Sequence, residues 1–141
     1  MPGQSSGIKV YGEQRGCALA DYDADGRLDL VVTQNNEETR LFHNTGAKPG
    51  LRVHLVGPAA NPNGIGAVLR LASGNRQGPA REVRAGGGFW SQDSPVQVLG
   101  TPDPPDGIDV RWPGGKTTHS LVPESAREIE ISKDGTVKTL K

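Results

Sequence analysis

The sequence is short of most features that would reveal a function at once. It has a single cysteine, Cys17, so no internal disulfide can form and the cysteine count says nothing of redox compartment. Neither charge is in excess, since 16 Lys and Arg stand against 16 Asp and Glu. Nucleic-acid affinity comes largely from a basic surplus, so no nucleic-acid partner is expected. No apolar run approaches the roughly 20 residues of a membrane-spanning helix, so no membrane span is expected either. The polar opening, residues 1–7, does not read as a signal peptide. Aromatic residues make up only 4% of the chain, and it carries no N-x-S/T sequon. Hydrophobic residues are few at 33%, yet 23% charged residues with no net charge is not the pattern of a disordered chain.

Glycine and proline are abundant, at 20 and 11 of 141 residues. Both end helices and punctuate turns, which fits many short strands. Alternation with a period of two predicts strands over 16–20, 28–33, 39–43, 51–56, 66–71, 81–85, 95–99 and 108–112. Leu51, Val53 and Leu55 share one face of their strand, while Arg52 and His54 share the other. Ile129 and Ile131 alternate in the same way with Glu128 and Glu130. The Asp134-Gly135 pair then predicts a hairpin turn, because Gly tolerates the positive φ that such turns need. Asn63-Gly64 predicts another turn. A short helical piece is expected only near 123–126. The chain reads as all-β, with a seam at 45–50 separating an acidic-loop segment from a longer run of alternating strands.

One motif carries chemistry. Residues 21–29 spell D-x-D-x-D-G-x-x-D. Ca²⁺ takes six to eight oxygen ligands at about 2.3–2.6 Å, and this loop offers oxygens in order. Asp21, Asp23 and Asp25 supply carboxylates, Gly26 permits the sharp turn, Arg27 offers its backbone carbonyl, and Asp29 adds a fourth carboxylate. An EF-hand would have a bidentate Glu at its twelfth position, but here that position is Val32 on an apolar strand. The spacing therefore predicts a strand–loop–strand calcium loop. The plainer alternative is a solvated acidic turn without metal.

Residues 16–32, closing at Leu41-Phe42-His43-Asn44-Thr45-Gly46, resemble one FG-GAP (VCBS-type) repeat, a blade of integrin-α-like β-propellers with a calcium loop. The remainder resembles the ASPIC/UnbV domain, as in the cartilage acidic protein family, where that domain follows such a propeller. The matching stretches are Asn61-Pro62-Asn63-Gly64-Ile65-Gly66-Ala67, Gly86-Gly87-Gly88-Phe89-Trp90-Ser91-Gln92-Asp93-Ser94-Pro95 and Val110-Arg111-Trp112-Pro113-Gly114-Gly115-Lys116. The resemblance implies a single repeat over 8–46 and a β-sandwich domain over 50–141. Two or three strands alone leave open edges and an uncovered apolar face, so the partial blade is expected to pack on the sandwich. The resemblance also implies the C-terminal part of a longer propeller protein, secreted, extracellular or periplasmic, because one repeat cannot close a ring.

Other candidates carry less. Gly115-Lys116-Thr117 lacks the first glycine of a P-loop, and Gly64-Ile65-Gly66 is followed by Leu69 where a dinucleotide fingerprint needs Gly. His43, His54 and His119 have no zinc spacing and read as exposed strand positions. Ser91 and Ser94 lie in no nucleophile elbow. Cys17 reads as a buried, inert thiol. Trp112 alternates with Ile108 and Val110 and is expected in the core. Phe89 and Trp90 follow three glycines. Either both rings are covered by the folded loop, or one lies near the surface, where it could bind a sugar. The expectation is a non-enzymatic calcium-binding adhesion or scaffold module with a protein or glycan partner. A carbohydrate-binding module or an accessory domain of an enzyme is the alternative.

Overall fold

The computed structural model describes residues 3–141, and its short strands form three sheets. The first is antiparallel and small: β1 (Gln14–Ala20), β2 (Asp29–Gln34) and β3 (Arg40–Phe42), in that order. After the seam come β4 (Leu51–Val56), β5 (Val68–Ser73), β6 (Arg76–Gln77) and β7 (Arg81–Glu82). They are followed by β8 (Gln97–Leu99), β9 (Gly107–Arg111), β10 (Thr117–Leu121), β11 (Glu128–Ser132) and β12 (Val137–Thr139). One of the two larger sheets runs β10-β9-β5-β6 with β7 also on β5, and the other runs β12-β11-β4-β8. The chain is all-β.

The alternation in the sequence explains the core. Leu51, Val53 and Leu55 of β4, Leu99 of β8, and Ile129 and Ile131 of β11 face Leu69, Ile108, Val110, Trp112, Val83 and Val122 from the other side. Two apolar faces of this kind meet as a sandwich. Trp112, one residue past β9, is 1% exposed, and its indole Nε1 donates to Thr118 Oγ1 at 3.0 Å. β4 and β11 pair in parallel, with Glu128 opposite Arg52 and Glu130 opposite His54. That register sets their polar faces side by side on the outside of the sandwich.

Several expectations need correction. The helical turn sits at α1 (Gly3–Ser6), and 123–126 is a turn closed by Ala126 N–H to the Pro123 carbonyl at 2.9 Å. Strand β10 escaped notice because its inward residues are Thr118 and Ser120, small and polar, so no apolar alternation marks it. Cys17 is exposed, not buried, since nothing packs over its face of β1 closely enough to cover it. The Asp134-Gly135 turn does join β11 to β12, with Gly135 at φ +96°.

Trp112→Ala should destabilise the chain by about 3–5 kcal/mol, the cost of emptying a large buried site. Urea unfolding of the two proteins measures it. A loss under about 1 kcal/mol, the size of an ordinary surface change, would show that the core does not rest on this ring.

Candidate functional site

The acidic loop joins β1 to β2 and is shaped by its own backbone. Gly26 adopts φ +86°, which a side chain would strain, and an added Cβ would lie only 3.0 Å from the Gly50 carbonyl. Ala24 is also left-handed, at φ +60°. The Asp21 carboxylate closes the turn by accepting the Asp25 amide on Oδ1 at 3.0 Å and the Gly26 amide on Oδ2 at 2.8 Å. Asp29, 2% exposed at the start of β2, accepts the Asn44 amide at 2.8 Å and the Tyr22 amide at 3.3 Å.

Of the five predicted ligand residues, the fold brings carboxylate oxygens of Asp21, Asp23 and Asp29 within 4.8 Å of one another. Asp25 forms a second such group with Asp23 and His43, and also meets the guanidinium of Arg27, whose Nε donates to the Ala47 carbonyl at 2.7 Å. His43, just past β3, stands with Nε2 3.1 Å from Asp23 and 3.8 Å from Asp25. It also meets the Tyr22 ring edge to face, with centroids 5.7 Å apart. The sequence pattern gave His43 no role, because it lies 14 residues beyond the motif and only the β2–β3 hairpin returns it.

Arg52 was also missed. It points from β4 away from the sandwich core, yet it is only 9% exposed because the acidic loop covers it. Its Nη1 donates to Asp21 Oδ2, while Nε lies 3.2 Å from Glu128 Oε1 without the alignment of a hydrogen bond. His54 Nε2 meets the same Glu128 oxygen at 2.6 Å. His54 is thus a half-buried partner and not an exposed strand position, whereas exposed His119 pairs with Asp109 at 2.7 Å. Further bonds tie the small sheet to the sandwich: Gly50 N–H to the Gly26 carbonyl at 2.8 Å, Ser94 N–H to the Leu19 carbonyl at 2.9 Å, and Leu19 N–H to Asp93 at 2.8 Å.

Burial pushes the carboxyl groups of Glu128 and Asp21 up. For Glu128, the hydrogen bond to His54 and the Arg52 charge outweigh it, and for Asp21 the Arg52 contact and the two loop amides do so. Both therefore sit below the usual carboxylate range.

Phe89 and Trp90 are both exposed, at 65% and 91%, so neither is covered by the loop nor packed inward. Their ring centroids lie 6.0 Å apart. Trp90 holds φ +52°, a left-handed backbone that is costly for a bulky residue. Phe89 borders an open groove of about 530 Å³ with Ile8, Val10, Leu30 and Val32.

Compared with known protein families, residues 57–138 match the model described as ASPIC and UnbV. The chain belongs to the ASPIC and UnbV family. The matched stretch runs from the end of β4 through most of β12, so it takes in all of the sandwich except β4 and the end of β12, while the acidic loop and Arg52 lie before it. Among curated proteins no match is found.

Stability should depend on acid through Glu128. Its folded-state value lies below its unfolded one, so its contribution is full above the ordinary value near 4.5 and is lost as pH falls through the lowered value. Urea midpoints measured from pH 7 down to pH 3 should fall steeply at the acid end, and Glu128→Gln should flatten that limb. An equally steep limb in the variant would mean that other groups set it.

Proposed function

We propose that this ASPIC/UnbV chain is a calcium-binding, non-enzymatic module of a secreted, extracellular or periplasmic protein, serving adhesion or scaffolding. The observation that carries this reading is the convergence of Asp21, Asp23 and Asp29 oxygens within 4.8 Å around a turn set by Gly26. Carboxylate oxygens are the hard donors that Ca²⁺ prefers. Two of the loop's four carboxylates are already paired with guanidinium groups, Asp25 with Arg27 and Asp21 with Arg52, and Arg52 is shared with Glu128. Asp21, Asp23 and Asp29 would hold the ion, with Asp25 and the Arg27 carbonyl joining once the Arg27 side chain and His43 let go of Asp25. When bound, calcium supplies a fixed double positive charge that holds the carboxylates together. The residues themselves then keep β1 and β2 in register at the loop end. In a longer parent protein, the small sheet would be one blade, its free β3 edge covered by further propeller.

Carbohydrate recognition is the second reading, favoured by the two outward rings of Phe89 and Trp90 and the left-handed backbone of Trp90. Strained, exposed residues cluster at binding sites. A glycan array with the wild type and Trp90→Ala tests it, and no Trp90-dependent signal ends it.

Calorimetry tests the calcium reading. CaCl₂ should give saturable heat with Kd on the order of 10⁻⁴–10⁻³ M, as in extracellular modules. Asp23→Ala should abolish it. Absence of heat in the wild type, or the same heat in the variant, would refute calcium binding at this loop in the native sequence.

A further inference from the structure

The sandwich sends one positive charge into the acidic loop. Arg52 leaves β4 on its polar face and reaches Asp21, whose side chain is itself 1% exposed. Asp21 Oδ2 already accepts two donors, the Gly26 amide and Arg52 Nη1, which fills the two lone pairs of that oxygen. Oδ1 accepts the Asp25 amide. A guanidinium does not lose its proton in a protein, so this charge cannot be relieved by titration. A metal ion drawing on Asp21 therefore meets a permanent positive charge on the same carboxylate. The same contact fastens the small sheet to the sandwich, together with the Gly50–Gly26 bond beside it.

We propose that Arg52 is a tethered counter-ion of the acidic loop, competing with calcium for Asp21, so that ion binding and docking of the β1–β3 sheet on the sandwich oppose one another. The inference rests on the calcium reading above and adds a coupling to it. Linkage makes the coupling reciprocal. An ion that weakens the Arg52–Asp21 pair loosens docking, and a change that removes Arg52 strengthens ion binding. The loop holds its shape through Arg52 when calcium is scarce, and calcium releases it from the sandwich when plentiful.

The test compares the full chain with Arg52→Gln by calcium calorimetry, and follows exchange of the Gly50 amide, which crosses the seam to Gly26. Arg52→Gln should bind Ca²⁺ at least about tenfold tighter, the order expected from removing a unit charge a few ångströms from a divalent ion. Saturating calcium should speed Gly50 exchange several-fold in the wild type. Heat in the variant alone refutes calcium binding to the native loop and, with it, the opposition between calcium and docking. Equal or weaker binding in the variant, with clear binding in the wild type, overturns the counter-ion role and leaves the calcium reading standing. No heat in either protein overturns both. Gly50 exchange that is unchanged or slower with calcium means that ion and guanidinium share Asp21, and the opposition falls. Asp23→Ala in the Arg52→Gln background should abolish the heat, and heat that persists puts the ion elsewhere and ends the proposal. Should Arg52→Gln fail to fold by circular dichroism, Arg52→Gln/Glu128→Gln removes the stranded carboxylate and carries the same comparison.

Discussion

A single buried guanidinium ties the two parts of this chain together. Arg52 lies between Asp21 of the acidic loop and Glu128 of the neighbouring parallel strand, with His54 completing the group on Glu128. Taking such charges out of water costs about as much as their attraction returns, so the group adds little net stability. Its effect is on arrangement. Any docking that buries Arg52 without Asp21, or Asp21 without Arg52, leaves a lone charge in a dry site, and that error costs several kcal/mol. This penalty acts together with the backbone bonds Gly50–Gly26 and Ser94–Leu19 to select one placement of the small sheet on the sandwich.

The apolar core makes the same point by what it leaves out. The contiguous cluster of buried residues draws on β4, β5, β8, β9 and β11 and on the loops around Trp112, but on nothing in β1, β2 or β3. Val32 is buried outside that cluster, beside the groove that Phe89 borders. The sandwich is held by area and packing. The small sheet is held by four polar seams, at Gly26–Gly50, Leu19–Ser94, Leu19–Asp93 and Asp21–Arg52. Segments with few apolar contacts open at lower free energy than cores do. The acidic loop thus sits in the part of the molecule held by fewer apolar contacts.

The readable parts of the sequence were those where periodicity and burial coincide. Leu51, Val53 and Leu55, the isoleucine pair 129 and 131, and Trp112 alternate cleanly, and all lie in the core. The acidic loop was legible because its turn needs Gly26 and its carboxylates come at fixed steps along the chain. What stayed hidden needed tertiary information. Thr117–Leu121 looks polar because Thr118 and Ser120 face inward as partners for the Trp112 indole and the Gly135 carbonyl. Arg52 and His43 lie far from the motif in sequence, and only the Gly50–Gly26 seam just before β4 and the β2–β3 hairpin bring them to it. Phe89 and Trp90 mislead in the other direction, since a Gly-rich loop gives no periodicity from which to tell covered rings from open ones.

A loop that neutralises its own carboxylates is limited in how tightly it can hold an ion. Arg27 occupies Asp25, His43 stands against Asp23, Arg52 occupies Asp21, and backbone amides occupy Asp29. An ion must displace or share each of these contacts, and every contact given up subtracts from the binding free energy. On the calcium reading, affinity reflects the advantage of the ion over these internal partners, not the full strength of four carboxylates. The Arg27 and Arg52 guanidinium groups also offset part of the mutual repulsion among the loop's carboxylates. On the calcium reading proposed above, one set of internal contacts both holds the loop's carboxylates together and keeps affinity for the ion weak.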